Sequence, residues 1–277
     1  MIVVLDSSGR LCNRLVLFAH ACATAIASRQ SFCHLMAEDV MRFAKLATPG
    51  SVKLCCISHI PGWSFVLRCR QAFYERVRSP NVEKYKAGNV CRVSNMSRRR
   101  LIPHIVLSWW YRDPGALVRQ RDNICCILAP KEEFARRPRL FANSIRADGH
   151  FIVGVHVRRG DYKQFSDGRY FFTDEEYVRF MEMARQALFG KCRFVMVSDE
   201  FLDEVFFKQR GLDAVVFKGS DFREDLVMLS LCDYIMGPWS TFSWWAAFYG
   251  GCKLCHIHGR EDVIVEGSFR DITGHEV

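Results

Sequence analysis

The sequence of 277 residues predicts an α/β fold built around a parallel sheet. In its second half, short runs rich in β-branched residues alternate with segments of helical periodicity, which is typical of a parallel sheet covered by helices. Hydrophobic residues make up 49% of the chain, enough for a substantial core, and the length allows one large or two modest domains. Disordered, collagen-like and small disulfide-rich proteins are excluded by this composition.

One strand and one helix are predicted in the N-terminal part of the chain. Residues 2–5 form a short apolar run that ends at a turn, and they are predicted to be the first strand. From 13 to about 28 the sequence is apolar and rich in Ala, which predicts a mostly buried helix. Between about 43 and 146 apolar runs are mixed with basic clusters, and no topology is assigned there.

Five strands and four helices are predicted after residue 150. Thr173, followed three residues later by Glu176, has the pattern of a capping box and predicts a helix start. The predicted strands are 151–157, 193–197, 214–217, 234–236 and 253–257, and the predicted helices are 174–188, 201–209, 223–231 and 243–249. Ligands of parallel sheets bind beyond the carboxyl ends of the strands, so the segments after these strands are the candidate site.

The positive charge is concentrated in a basic segment, residues 61–146. It holds 18 Lys and Arg against six Asp and Glu, whereas the rest of the chain holds 21 against 24. Such an excess predicts an anionic partner, namely phosphate groups, a lipid head-group surface or nucleic acid; a solvated face without a partner explains it equally well. No nucleic-acid-binding module is recognised, so nucleic acid is not expected.

The thirteen cysteines and the apolar runs bear on the compartment. An odd number of cysteines cannot all pair within the chain, and no export signal is recognised. The longest apolar run, 15–27, is shorter than the ~18 residues that span a bilayer. We therefore expect free thiols and a cytoplasmic protein.

A possible haem or zinc motif, Cys252-x-x-Cys255-His256, lies inside a predicted strand. Neighbouring strand residues point to opposite faces, so its side chains would diverge rather than converge on a metal ion. No metal or other cofactor is expected.

Two arginines follow the predicted strand 151–157 directly, in the segment His156–Tyr162. The guanidinium groups of Arg158 and Arg159 offer forked donors that match phosphate oxygens. A surface ion pair between Arg159 and Asp161 is the alternative.

Hydroxyl groups follow the strand 234–236 and open a helix. Ser240, Thr241 and Ser243 lie where free backbone N–H groups would bind an anion, and plain helix capping is the alternative. The turn 9–14 after the first strand is a weaker candidate for facing phosphate, since it lacks the glycines of a dinucleotide fingerprint and the Lys of a P-loop.

With these motifs in place, the chain resembles the fucosyltransferase superfamily, most closely the bacterial-type α-1,2-fucosyltransferases of glycosyltransferase family 11. The resemblance covers roughly 1–27 and 151–257. It is carried by Gly9-Arg10-Leu11-Cys12-Asn13, by His156-Val157-Arg158-Arg159-Gly160-Asp161-Tyr162, by Ser198-Asp199-Glu200, by Asp225–Cys232 and by Ser240–Ala247. The chain departs from the family pattern in two places. Cys12-Asn13-Arg14 stands where the family usually has Gly-Asn-Gln, and Pro238-Trp239 stands where it more often has small or polar residues.

The resemblance implies a GT-B-like fold, with two Rossmann-like domains whose parallel sheets face a cleft. Residues 1–147 would form the acceptor-side domain and residues 148–277 the GDP-fucose-binding domain. The implied reaction is inverting transfer of L-fucose from GDP-β-L-fucose to a sugar hydroxyl, first of all an α-1,2 linkage to a terminal galactose. It would need no metal, in keeping with the lack of an Asp-x-Asp pair in the sequence. Transfer with another linkage (α-1,6 or protein O-fucosylation) and a non-catalytic GDP-sugar-binding protein are the alternatives.

The resemblance also implies roles for individual residues. Arg158 would face the β-phosphate, Arg159 would be a second basic group, His156 would orient its neighbours, and Asp161 is the nearest acidic candidate for the catalytic base. Asp225 would contact guanine. The other positions expected at GDP-fucose are Gly9, Asn13, Asp199, Ser240, Thr241, Phe242 and Ser243.

The implied partners are GDP-fucose and an oligosaccharide or lipid-linked glycan acceptor. The basic segment would suit peripheral contact with the anionic inner face of a membrane.

Overall fold

The structure is a computed structural model that describes residues 2–4, 9–34, 38–47, 54–56, 104–106, 111–146, 150–190 and 192–274. Much of the basic segment, 61–103 and 107–110, lies outside the described residues. The chain divides into two units, Met1–Ala129 with Thr273–His275, and Pro130–Ile272 with Glu276–Val277. The sequence-based division between 147 and 148 falls one helix later. That helix, Glu132–Ile145, belongs to the second unit because it packs on Phe222–Ser230 of that unit.

The first unit contains a parallel four-stranded sheet in the order β3-β2-β1-β4. Its first helix is buried on nearly all sides, with thirteen of 17 residues inaccessible, as its Ala-rich apolar sequence predicts. The elements are β1 Ile2–Val4, α1 Leu11–Ala27, β2 Phe32–His34, α2 Glu38–Phe43, β3 Leu54–Cys56, β4 His104–Val106, α3 Pro114–Arg119 and α4 Arg121–Ile127.

The second unit contains a parallel five-stranded sheet in the order β7-β6-β5-β8-β9. All five strands and four helices predicted after residue 150 are present. The elements are α5 Glu132–Ile145, β5 Phe151–Val157, α6 Asp174–Ala187, β6 Cys192–Ser198, α7 Glu204–Lys208, β7 Ala214–Val216, α8 Phe222–Ser230, β8 Tyr234–Pro238, α9 Thr241–Gly250 and β9 Lys253–Ile257.

Local sequence explains where α6 begins. The Thr173 hydroxyl accepts a hydrogen bond from the backbone N–H of Glu176, and the Glu176 carboxylate accepts one from the N–H of Thr173. The predicted capping box is therefore confirmed. It satisfies two of the N–H groups that a helix start leaves without partners.

The strand order locates the candidate site. From the central strand β5 the chain moves outward to β6 and β7, then returns to β8 and β9 on the other side of β5. The order therefore reverses between β5 and β8. In open α/β sheets the crevice at such a switch point, beyond the carboxyl ends of the strands, is where ligands bind.

Among the described residues, no helix is long and apolar enough to cross a membrane. Nor does this part of the chain contain three or more His, Cys, Asp or Glu side chains grouped so that they could hold a metal ion.

Candidate active site

The candidate site of the second unit is built from the segments that follow β5 and β8. The chain after β5 carries both arginines and enters a short 3-10 turn, Gly160–Lys163. The chain after β8 passes through Trp239 into the start of α9. A hydrogen bond at 2.9 Å from the Tyr162 hydroxyl to the Trp239 carbonyl oxygen joins the two segments.

Arg158 is held by two carboxylates. Its Nη2 lies 2.6 Å from Oδ1 of Asp161, and its Nη1 lies 2.9 Å from Oδ2 of Asp199. The side chain of Asp161 is 47% exposed and that of Asp199 25% exposed, so Asp161 is the partner nearer to solvent. The guanidinium group is thus fixed at the strand end. Its more exposed partner, Asp161, is the one that another anion could replace.

Arg159 is oriented from the opposite direction. Its backbone N–H donates to Oδ1 of Asp199 at 3.0 Å, and its guanidinium group pairs with Asp174 in the first turn of α6. The Nε atom is buried and has no hydrogen-bond acceptor among the described residues. The ion pair considered from sequence, Arg159 with Asp161, is not formed, because Asp161 lies against Arg158 and Asp174 takes its place.

Asp199 therefore connects both arginines, and the turn fits closely around it. A Cβ at Gly160 would lie only 2.6 Å from Oδ2 of Asp199, so any other residue there would displace this carboxylate. Asp199 accepts from the Arg159 backbone with one oxygen and from Arg158 with the other. Its geometry is that of a residue that positions the two arginines.

His156 links the end of β5 to α9 below the surface. Its Nδ1 is 2.8 Å from Oγ of Ser243, and its ring stacks on Phe242 at a centroid distance of 4.8 Å. Burial, together with the positive charge of Arg158, lowers the pKa of His156 to about 3. The imidazole is therefore neutral near pH 7, and its position suits the orienting role that the resemblance implies.

The α9 terminus presents hydroxyl groups and backbone donors. Ser240 is its N-cap, with its hydroxyl accepting from the N–H of Phe242 at 3.1 Å, and Thr241 is the first helical residue. Ser243 is fully buried and bonded to His156. Capping is thus the role of Ser240 here, and a capped helix start is also a favourable site for an anion.

Asp225 lies in the first turn of α8, which packs on β5 and β6. It is 8% exposed, and its Oδ1 accepts a hydrogen bond from the Ser220 hydroxyl. Burial raises the pKa of Asp225 to about 7. A carboxyl group with this pKa changes its charge within the physiological range.

Gly9 and Asn13 belong to the first unit, in the turn that leads into α1. Gly9 has φ +78°, and a Cβ there would lie 2.2 Å from Nδ2 of Asn13. Both the left-handed backbone and this contact require glycine. Within the second unit, by contrast, the structure brings together His156, Arg158, Arg159, Asp161, Asp199 and the start of α9.

Three features of the site were not foreseen from the sequence: the pairing of Asp174 with Arg159, the bond from Tyr162 to Trp239, and the bond from Ser220 to Asp225. Asp174 had a usable signal, since it directly follows the helix cap Thr173 and the start of α6 returns to the same edge of the sheet. The hydrogen bonds from Tyr162 and from Ser220 depend on loop conformations, which no periodic pattern in the sequence predicts.

Comparison with protein families confirms the resemblance to glycosyltransferases. The model of the family described as glycosyl transferase family 11 matches residues 133–260, which include Arg158, Arg159 and the start of α9. Among curated proteins no significant match was found.

Solved structures show that the fold is GT-B-like. Fucosyltransferase NodZ from Bradyrhizobium is similar over 92% of this chain and 94% of its own, with 16% identity and a TM-score of 0.53. NodZ α-1,6-fucosyltransferase co-crystallised with GDP gives the same coverage and identity, with a TM-score of 0.55. A variant of Arabidopsis thaliana FUT1 in complex with GDP is similar over 98% of this chain and 73% of its own, with 12% identity and a TM-score of 0.59. At these identities the likeness concerns the fold.

Proposed function

We propose that this protein is a fucosyltransferase that transfers L-fucose from GDP-β-L-fucose to a saccharide hydroxyl with inversion. The observation that carries the proposal is the position of Arg158, which lies at the switch point of the sheet beside a second arginine. The family match supports a glycosyltransferase. Similar folds in fucosyltransferases solved with GDP support the choice of donor.

In this proposal the diphosphate of the donor binds between the two strand ends. Arg158 exchanges Asp161 for a phosphate oxygen while Asp199 keeps its hold on Nη1. Ser240, Thr241 and the N–H groups at the start of α9 supply further donors. As the glycosidic bond breaks, negative charge grows on the departing GDP, and these fixed positive groups stabilise it without a metal ion.

The nucleoside end of the donor is assigned to Asp225. An ionised carboxylate accepts hydrogen bonds from two N–H groups of guanine, a pattern that adenine and the pyrimidines do not present. Because Asp225 is buried, its contact with guanine would be well shielded from water. We propose that Asp199 contributes to donor binding by holding Arg158 and Arg159 in position.

The acceptor hydroxyl needs a group that takes its proton within ~2.6–3.2 Å or through one water molecule. We propose Asp161 for this role. Once phosphate replaces it at Arg158, the half-exposed Asp161 carboxylate is available to accept the proton of the acceptor hydroxyl.

The linkage rests on the family resemblance, which favours α-1,2 transfer to a terminal galactose of a glycan or lipid-linked saccharide. Transfer with α-1,6 linkage is the second candidate, because NodZ, described as an α-1,6-fucosyltransferase, shares the fold over 92% of this chain. A cytoplasmic location is proposed from the thirteen cysteines, and peripheral contact with anionic lipid from the charge of the basic segment. Flotation with vesicles that contain or lack anionic lipid tests this contact.

The activity is tested by incubating the protein with radiolabelled GDP-fucose and a panel of galactosides and N-acetylglucosaminides, followed by linkage analysis of any product by NMR. We expect a fucosylated product with wild type and a loss of about a hundredfold or more with Arg158→Ala. Arg193→Ala is the matched control, since Arg193 pairs with Asp213 at the amino end of β6, far along the strand from the site. Release of GDP with no saccharide product, or equal loss in both variants, would contradict the proposal.

A further inference from the structure

A pocket of about 510 Å³ lies in the second unit, beside the outer strand β9. One edge of β9 pairs with β8. Among the described residues, the other edge pairs with the C-terminal segment only at Leu254 and Arg270, through N–H to oxygen hydrogen bonds of 2.8 and 3.0 Å. The pocket is lined by β9 on one side, by the segment 262–272 on the other, and by Trp239. Its volume lies within the ~300–1,000 Å³ of small-molecule sites.

The lining combines aromatic and charged side chains. Trp239, His256 and His258 contribute rings, and Asp262, Arg270 and Asp271 contribute charge. Sugars present apolar C–H faces edged by hydroxyl groups, which suit an aromatic wall with a few hydrogen-bonding groups beside it. A nucleotide suits the pocket less well, because its phosphates would face two carboxylates and a single arginine.

Trp239 places the pocket next to the proposed donor site. It directly precedes Ser240, the N-cap of α9, and its carbonyl oxygen accepts the hydrogen bond from Tyr162. The proposed guanine contact, Asp225, lies on α8, which packs on β5 and β6, whereas the pocket lies on the β9 side of the sheet. With the diphosphate between β5 and β8, the sugar end of the donor would point towards the pocket.

An aromatic surface extends from Trp239 along the loop that follows β5. Ring centroids are 6.3 Å apart between Trp239 and Tyr170, 6.1 Å between Tyr170 and Phe165, and 5.2 Å between Phe165 and Tyr162. Phe165 is 43% exposed, so part of this row of rings faces solvent. Such a row of rings suits a saccharide of more than one unit.

From these observations we infer that the pocket beside β9, with Trp239 as its wall, is a subsite for the acceptor saccharide. The inference rests on the proposed function and assigns it a substrate-binding surface. Pro238-Trp239 is one of the places where this sequence departs from the family pattern, so the subsite would set an acceptor preference particular to this chain.

The subsite is tested by NMR of protein labelled at Ile and Val methyl groups, with GDP present. Methyl β-galactoside, lactose, N-acetyllactosamine and chitobiose are added in turn at millimolar concentration. Val263, Ile264 and Ile272 line the pocket and act as reporters, while Val195 in the buried centre of the sheet acts as the reference. We expect at least one saccharide to shift the three reporters and leave Val195 in place.

Two variants distinguish the pocket from its surroundings. Val263 is 70% exposed at the pocket, so Val263→Trp fills the space with little effect on folding; Val265, 56% exposed and not part of the lining, gives the control Val265→Trp. Saccharide shifts of the two remaining reporters, Ile264 and Ile272, should be lost in the first variant and kept in the second, with GDP affinity by calorimetry unchanged in both. GDP binding without saccharide shifts in wild type, or shifts that persist in Val263→Trp, would overturn the inference. Saccharide shifts without GDP binding would instead contradict the proposed function and leave the pocket as a saccharide site.

Discussion

Replacing Asp161 with Asn is expected to tighten GDP binding, although it removes a residue of the site. Arg158 and Arg159 face three carboxylates, those of Asp161, Asp174 and Asp199, so this cluster carries one excess negative charge before any donor binds. A diphosphate can bind there only if one carboxylate moves away from its arginine. Asp161 is the most exposed of the three, at 47% against 28% and 25%, and is therefore the one to leave.

The size of the effect follows from the geometry. An ion pair with one partner half exposed is worth ~0.2–1 kcal/mol, despite the short distance of 2.6 Å. Removing the carboxylate also removes its repulsion of the diphosphate, which for two unit charges 4 Å apart is ~1 kcal/mol at the dielectric constant of water. Together these effects give about 1–2 kcal/mol, or ~5- to 30-fold tighter binding of GDP.

The same variant should be slow in catalysis if Asp161 accepts the acceptor proton. Loss of a general base reduces the rate by ~10²–10⁴-fold, so Asp161→Asn should combine a lower Kd for GDP with a much lower kcat. Calorimetry with GDP and a fucosyl-transfer assay measure the two quantities on one preparation. Asp199→Asn is the comparison, and it should weaken GDP binding because it releases both arginines. Weaker GDP binding by Asp161→Asn, or unchanged turnover, would refute the reasoning.

Three further changes test other parts of the site. The pKa of Asp225 is about 7, and guanine requires the ionised carboxylate, so GDP affinity should fall by up to ~10-fold per pH unit below 7 and level off above. Calorimetry across pH measures this dependence, with Asp225→Asn as the reference. A flat profile for wild type would contradict the guanine contact. Gly160→Ala brings a Cβ to 2.6 Å from the Asp199 carboxylate, so it should weaken GDP binding while the melting temperature changes little, and wild-type affinity would be the contrary result. Thr173→Ala removes the cap of α6 and should lower the free energy of unfolding by ~1 kcal/mol in urea titrations, with GDP affinity retained; a loss below ~0.3 kcal/mol would show that the capping box is not formed in solution.

The secondary structure of the second unit follows closely from the sequence. Strand-length Val-rich runs such as 151–157 are buried on both faces, and a capping box such as that of Thr173 fixes a helix start locally. Between 43 and 146 no topology is predicted from sequence, and the helices α3, α4 and α5 found there depend on packing rather than on pattern. α5 shows the reason: it contains Pro138 within the helix, a residue that local propensity alone would exclude.

The chemistry of the site was predictable in its main residues but not in its pairing. The motif after β5 predicts two arginines beyond the end of that strand, and the structure places Arg158 and Arg159 there. Which carboxylate faces which arginine depends on where separate loops return to the sheet, and neither Asp174 nor Asp199 is near the arginines in sequence. The pocket beside β9 is likewise formed by segments that meet only through folding.

The central claim, that Arg158 binds the diphosphate of a guanine nucleotide, is tested most directly by calorimetric titration with GDP in the presence of EDTA. Wild type should bind, and Arg158→Ala should lose about 2–4 kcal/mol, or ~30- to 1,000-fold in affinity, since a charge-assisted contact is removed. Arg193→Ala should bind as wild type does. The double variant Arg158→Ala with Asp161→Asn separates loss of the guanidinium group from the carboxylate left without a partner, and its affinity should recover only in part. Absence of GDP binding by correctly folded wild type, or equal binding by Arg158→Ala, would contradict the account.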